Sequence, residues 1–292
     1  MGKNILTMSL VLVMVLSFNA CAKETEEEVE LPSAQEIVDG VIESFDNIRT
    51  YQFDTDVTMG MAGEAEGEAL EQTVTMDNSG TLDLENVQMR ADLTMNVNMA
   101  APEEDEMEEG VEMYIIDGMM YAMAKAPEEE PTWMKEEVPA EAWEMLKEIS
   151  RLETYKELLK TAQVKVIGSE KVKGVDCYVL QLTPEMAQLW QIAMEPTGRA
   201  GVGILPTVPE ELLQEVFSDF TVKQWVAKDT YYLMKAEIDM AMETTPEFMD
   251  YLGEEGEITI DLTMSLLAYN YNQPVSIVLP PEAEEAKEVP TE

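Results

Sequence analysis

Residues 89–99 read MRADLTMNVNM. Met89, Ala91, Leu93, Met95, Val97 and Met99 alternate with Arg90, Asp92, Thr94, Asn96 and Asn98. In an extended chain successive side chains point to opposite faces, so this stretch is a strand that is dry on one face and wet on the other. The pattern recurs on both sides of it. Tyr51, Phe53, Thr55, Val57 and Met59 alternate with polar residues, as do Met234, Ala236, Ile238, Met240 and Met242, and Ile258, Ile260, Leu262, Met264 and Leu266. Strands of this kind pair into an antiparallel sheet with one solvated side.

Shorter pieces extend that sheet. Asn78-Ser79-Gly80 reads as a turn between Gln72–Asp77 and Thr81–Asn86. Asp117-Gly118 is a two-residue hairpin signal, and Lys173-Gly174 joins Val164–Ser169 to Cys177–Thr183. The expected total is about ten strands, with no internal repeat. Ser33 followed by Glu36 is a capping box, and Ile37, Val38, Val41, Ile42 and Phe45 recur at helical spacing behind it. Ser33–Asn47 is therefore expected as an amphipathic helix. Further helical segments are expected at Ala140–Ile149, Leu152–Thr161, Pro184–Met194 and Pro209–Phe217. A sheet with one dry face needs a cover, and these helices are the available one. The expected class is α+β: a strongly curved antiparallel sheet, an incomplete β-barrel, with helices over its concave face. The Glu-rich stretches 103–109 and 128–130 read as solvated loops, and 282–292 as a frayed acidic tail.

Composition excludes several functions. The chain of 292 residues carries 60 acidic and 18 basic side chains and no histidine, a formal charge of −42. Imidazole-dependent triads and imidazole metal sites are therefore absent, and the negative surface repels phosphate, so no nucleic acid partner is expected. Two cysteines supply neither a disulfide framework nor a four-thiolate zinc site. Lys3 precedes an apolar run, Ile5 to Leu16, too short to span a bilayer. It ends in Ser17-Phe18-Asn19-Ala20-Cys21, which resembles a lipobox, where cleavage precedes a cysteine that takes lipid on its sulfur and amine. An uncleaved anchor or a plain secretory signal is the alternative. Residues 1–20 are then a signal peptide, Cys21 the lipidated residue, 21–32 an acidic tether, and 33–281 the folded domain. The expected location is the outer side of the cell membrane, held by lipid.

One set of residues points to a family. It begins with the lipobox-like cysteine and Ala34-Gln35-Glu36-Ile37-Val38, opening a helix that feeds Tyr51-Gln52-Phe53. Gly174-Val175-Asp176-Cys177-Tyr178-Val179-Leu180 and Trp225-Val226-Ala227-Lys228-Asp229-Thr230-Tyr231-Tyr232-Leu233 follow, and Tyr271-Asn272-Gln273-Pro274-Val275-Ser276-Ile277-Val278-Leu279-Pro280 closes the set. Over residues 33–283 the chain resembles the LolA-like lipoproteins, including the LppX/LprG type of cell-envelope lipoprotein. The resemblance implies a half-barrel closed by helices, with an apolar cavity for acyl chains. The pocket arginine of LolA has no match in Arg49, Arg90, Arg151 or Arg199.

Methionine, present 23 times, is the compositional oddity. Its flexible, polarizable thioether suits a surface that adapts to a variable hydrocarbon chain, and it equally serves as filler in a core. Coordination of Cu(I) by Met59/Met61 or Met240/Met242 is a weaker alternative, because i and i+2 share a face on any strand. The candidate ligand-binding residues are Met59, Met89, Leu93, Met95, Met99, Met113, Ile238, Met240, Leu262 and Met264, with Trp190 at the mouth. Gly198–Gly203 is a glycine-rich connection without phosphate-loop context, and Cys177 reads as a buried thiol. No cofactor, metal or catalytic group is expected. The two functional expectations are a non-enzymatic binder of a lipid or other apolar ligand, and an envelope interaction or sensory module with a self-filled core and a protein partner.

Overall fold

A computed structural model describes residues 32–65, 68–101, 105–125, 131–138, 156, 159–184, 212, 215–252 and 256–288, all but Pro32 within the unit Ser33–Glu292. The first element is α1 (Ala34–Ser44). Ser33 caps it as expected: its hydroxyl accepts from the Glu36 amide, and the Glu36 carboxylate accepts from the Ser33 amide at 2.8 Å. That reciprocal pair holds the Glu36 carboxyl below its ordinary range. A single 3₁₀ turn, Phe45–Asn47, ends the helix and turns the chain into the sheet.

The strands are β1 (Thr50–Ala65), β2 (Glu68–Asp83), β3 (Gln88–Ala101), β4 (Asp105–Ile116), β5 (Met119–Lys125), β6 (Trp133–Glu137), β7 (Gln163–Val172), β8 (Val175–Thr183), β9 (Phe217–Ala227), β10 (Leu233–Glu243), β11 (Gly256–Tyr269) and β12 (Lys287–Glu288). Short helices α2 (Pro246–Leu252) and α3 (Pro281–Glu284) precede the last two strands. All the strands form one 12-stranded sheet in the order β12-β6-β5-β4-β3-β2-β1-β11-β10-β9-β8-β7. Every pairing is antiparallel except the short β12–β6 contact. The late strand β11 lies beside β1, so the sheet is two meanders joined at its centre, with β7 and β12 as open edges. The α+β class with a curved, unclosed antiparallel sheet is what the chain adopts.

Curvature shows at one hairpin. The β7–β8 turn and β1 are four strand spacings apart in the sheet, roughly 19 Å if it were flat. Yet Lys173 Nζ lies 4.0 Å from the Asp54 carboxylate and 3.6 Å from the centre of the Tyr269 ring. The hairpin therefore folds over the sheet as far as β1. Both two-residue turns match their sequences. Asp117 and Gly118 have φ of 51° and 81°, and Lys173 and Gly174 have 47° and 86°, the left-handed pair that a tight hairpin needs.

Three expectations are corrected. Asn78-Ser79-Gly80 is no turn: β2 runs straight through it, and Gly80 faces Phe53 of β1 and Ala91 of β3. The chain reverses instead at Leu84–Val87, where the Asp83 carboxylate accepts from the amides of Glu85 (3.1 Å) and Asn86 (2.9 Å) and Val87 takes φ 53°. Residues 105–109 are no loop but the start of β4, paired with Met95–Met99. Residues 282–288 are not frayed. α3 and β12 dock there, with Ala283 fully buried, because small alanines fit against the Tyr114 and Trp133 rings where longer side chains would not.

α1 covers one end of the apolar face. Ile37, Val38 and Val41 pack with Leu180, Leu182, Val222 and Val226 of β8 and β9, joined by Leu159. The helical expectation at 140–149, and that at 184–194 beyond Pro184, lie outside the described residues, and Phe217 is already strand.

Candidate functional site

Directly opposed residues in an antiparallel ladder share a face, so the register assembles the site from the sequence. Met59 lies between Val74 of β2 and Leu262 of β11, and the row continues through Val97 on one side and Met240 and Phe220 on the other. The next row is Met95, Met76, Val57, Met264, Ile238 and Val222. Beyond it come Leu93, Asn78, Thr55 and Leu266, then Met113, Ala91, Gly80 and Phe53. Met89 and Met99 stand at the two ends of β3 on this same face.

Met59, Met89, Leu93, Met95, Met99, Met113, Ile238, Met240, Leu262 and Met264 therefore stand together on one face of one sheet. All of them are half-buried. Trp190 and Cys21 lie outside the described residues. Two buried clusters border this area, one under α1, which takes in Val222 and packs against Ile238 of the second row, and one around Phe248; those around Trp225 and under the C-terminal segment lie on the opposite face. The centre of the apolar face, over β3, β2, β1, β11 and β10, is thus a broad half-exposed surface. Methionine is concentrated there; among the described strand residues Met119 and Met123 stand on the opposite face, level with Tyr114 and Trp133. Asn78 was missed as a member of this face because the turn reading removed it from the strand. The alternation Val74, Met76, Asn78, Gly80, Leu82 was the available signal.

The opposite face holds these ion pairs. Arg90 is 3.0 Å from Asp92, Lys125 is 3.3 Å from Glu112, and Lys235 is 2.5 Å from Glu237. Asp56 opposes Asp77 across β1 and β2; partial desolvation, then the hydrogen bond and charge of Asp77 and the charge of Asp54, raise its carboxyl above the ordinary value. Burial, the hydrogen bond to Glu112 and nearby acids push the Tyr114 phenol up to about 12 against the opposing pull of Arg90. A cleft of about 580 Å³ opens on this side, lined by Asp54, Asp56, Lys171, Lys173, Lys235 and Trp225 among others. Its groups are already engaged with one another: the Trp225 indole donates to Glu170 at 2.7 Å, and Lys235 lies over the Trp225 ring. Cys177 is free and fully buried, and burial is the first cause that raises its thiol pKa. Among the described residues no group of three His, Cys, Asp or Glu side chains is placed to hold a metal ion, and no helix is long and apolar enough to cross a membrane.

Solved structures that align with the chain include the lipoprotein LppX of Mycobacterium tuberculosis, of the type the sequence resembles (13% identity, 84% of this chain and 98% of that one, TM-score 0.42). LprF of Mycobacterium bovis aligns at 14% identity over 85% of this chain and 96% of that one, with a TM-score of 0.38. A putative outer membrane lipoprotein-sorting protein domain of Vibrio parahaemolyticus aligns at 11% identity over 83% and 95%, with a TM-score of 0.21. No curated protein matches the chain in sequence. Residues 33–288 match the model of DUF6612, a family of unknown function, and the chain belongs to that family.

Proposed function

We propose that this protein is a lipid-anchored envelope protein that binds the hydrocarbon part of a lipid on the apolar face of its sheet, without catalysis. The observation that carries the reading is the contiguous half-exposed face built around Met59, Met95, Met240, Leu262 and Met264. A chain laid on such a face binds by transfer out of water, at roughly 0.8 kcal/mol per buried CH₂. Thioethers suit it because their rotamers adapt to a chain of variable length and branching. Lipidation at Cys21 tethers the chain to a membrane, which is itself a source of such ligands.

The test is displacement of 1-N-phenylnaphthylamine from the full chain by a long-chain lipid. Binding is expected to be saturable, and introducing charge by Met95→Glu together with Met264→Glu should abolish it while the fold, checked by circular dichroism, persists. Absence of saturable binding in the unmodified chain would refute the reading and leave an envelope module that binds a protein partner.

A further inference from the structure

Among the described residues, one buried side-chain atom on the apolar face has no hydrogen-bond partner. Asn78 stands in its middle, with Thr55 directly opposite on β1 and Leu93 directly opposite on β3. Its amide oxygen is shielded from solvent and accepts no hydrogen bond. Buried acceptors are nearly always paired, because an unpaired one forfeits the water it gave up; such an orphan in a native fold needs a reason. Nothing about β2 as a strand requires asparagine here, and Val74 and Met76 on the same face are apolar. A ligand that brings a donor is a sufficient reason.

Charge narrows the ligand further. On the apolar face of β1–β4, β10 and β11 the described residues include no lysine or arginine. Arg90, Lys125 and Lys235 all stand on the opposite face, each already within 4.0 Å of a carboxylate. The ionisable groups beside the methionine rows are acids: Glu109 opposes Met95, and Asp105 opposes Met99. Among the described residues of these strands an anionic head group would find no counter-charge on this face, and it would meet these carboxylates across a low-dielectric surface.

We infer that the ligand is a long-chain amphiphile with an uncharged, hydrogen-bond-donating head, a hydroxyl or an amide N–H, for which the half-buried Asn78 side chain turns its amide outward so that Oδ1 accepts from the head while the chain lies across the methionine rows. This rests on the lipid-binding reading above and adds the head-group chemistry to it. Fatty acids and anionic phospholipids are then poor ligands, despite chains of the same length.

The full chain titrated with monoolein, methyl oleate and oleate separates these possibilities. The three share one chain and differ in the head: two hydroxyl donors, no donor, and a carboxylate. Expected is tightest binding of monoolein, with methyl oleate weaker and oleate weaker by about tenfold or more. Asn78→Leu is expected to weaken monoolein to the level of methyl oleate and leave methyl oleate unchanged, a pattern that a merely structural role of Asn78 would not give. Equal affinity for monoolein and methyl oleate, or oleate binding as tightly as monoolein, would overturn the head-group inference while leaving the lipid-binding reading intact. If none of the three binds, both fall.

Discussion

Gly80 lies in the middle of a strand, where glycine is ordinarily unfavourable, and its surroundings explain it. A Cβ at this position would lie 2.5 Å from the Phe53 ring and 2.7 Å from the Arg90 carbonyl oxygen, so only a residue without one lets Phe53 fold across β2. Gly80→Ala is expected to cost about 2 kcal/mol, seen as a lower urea midpoint at unchanged slope. Asn-Ser-Gly is nonetheless a good turn sequence, which is why this stretch misleads when read locally. The contact that decides it comes from Phe53, far away in the chain. Asp56 is a second residue whose role depends on its partner across the ladder, since Asp77 stands directly opposite. A carboxyl raised in the fold binds its proton more readily there than in the unfolded chain. Its stabilising contribution is therefore present at low pH and lost as the pH rises through the raised value. Asp56→Asn should accordingly stabilise the protein at pH 7 by about 0.5 kcal/mol, less in high salt. The gain should vanish as the pH falls toward the unperturbed 3.8, a trend measurable by thermal unfolding across pH.

Elements with a local signature were legible and those defined by distant contacts were not. The capping box of α1, the period-two strands and the Asp117-Gly118 and Lys173-Gly174 hairpins each depend on neighbours in sequence, and each forms as read. The segment 282–292 reads as tail because Glu282, Glu284, Glu285 and Glu288 dominate its composition. What folds it is the alternate set of apolar residues, Ile277, Leu279, Ala283 and Ala286, which cover Tyr114 and Trp133 on the otherwise polar side of the sheet. Ala283→Glu would place an unpaired carboxylate in that contact and is expected to cost about 3 kcal/mol, or to release the segment to proteolysis. On the other side of the sheet, Ile37→Ala removes a fully buried side chain from beneath α1. A loss of about 2–4 kcal/mol in chemical unfolding is expected there, without effect on the methionine rows.

At the scale of the whole molecule, the charge of −42 and the many methionines are two sides of one arrangement. Ladder register sends Arg90, Lys125 and Lys235 with their carboxylates to one face and most of the described strand thioethers to the other. The grouping of the candidate residues was legible because strand alternation is a two-letter code. The head-group contact was hidden because it required knowing that Asn78 belongs to β2. The account also predicts that Cys21→Ser shifts the protein from the membrane to the soluble fraction, measured by fractionation, whereas retention on the membrane would remove lipidation as the anchor. The most direct test of the central claim is native mass spectrometry of the full chain after exposure to a lipid extract. The account predicts one added lipid mass on the intact protein, lost on Met95→Glu/Met264→Glu. A spectrum that shows the bare chain alone, or an adduct that survives those substitutions, would contradict it.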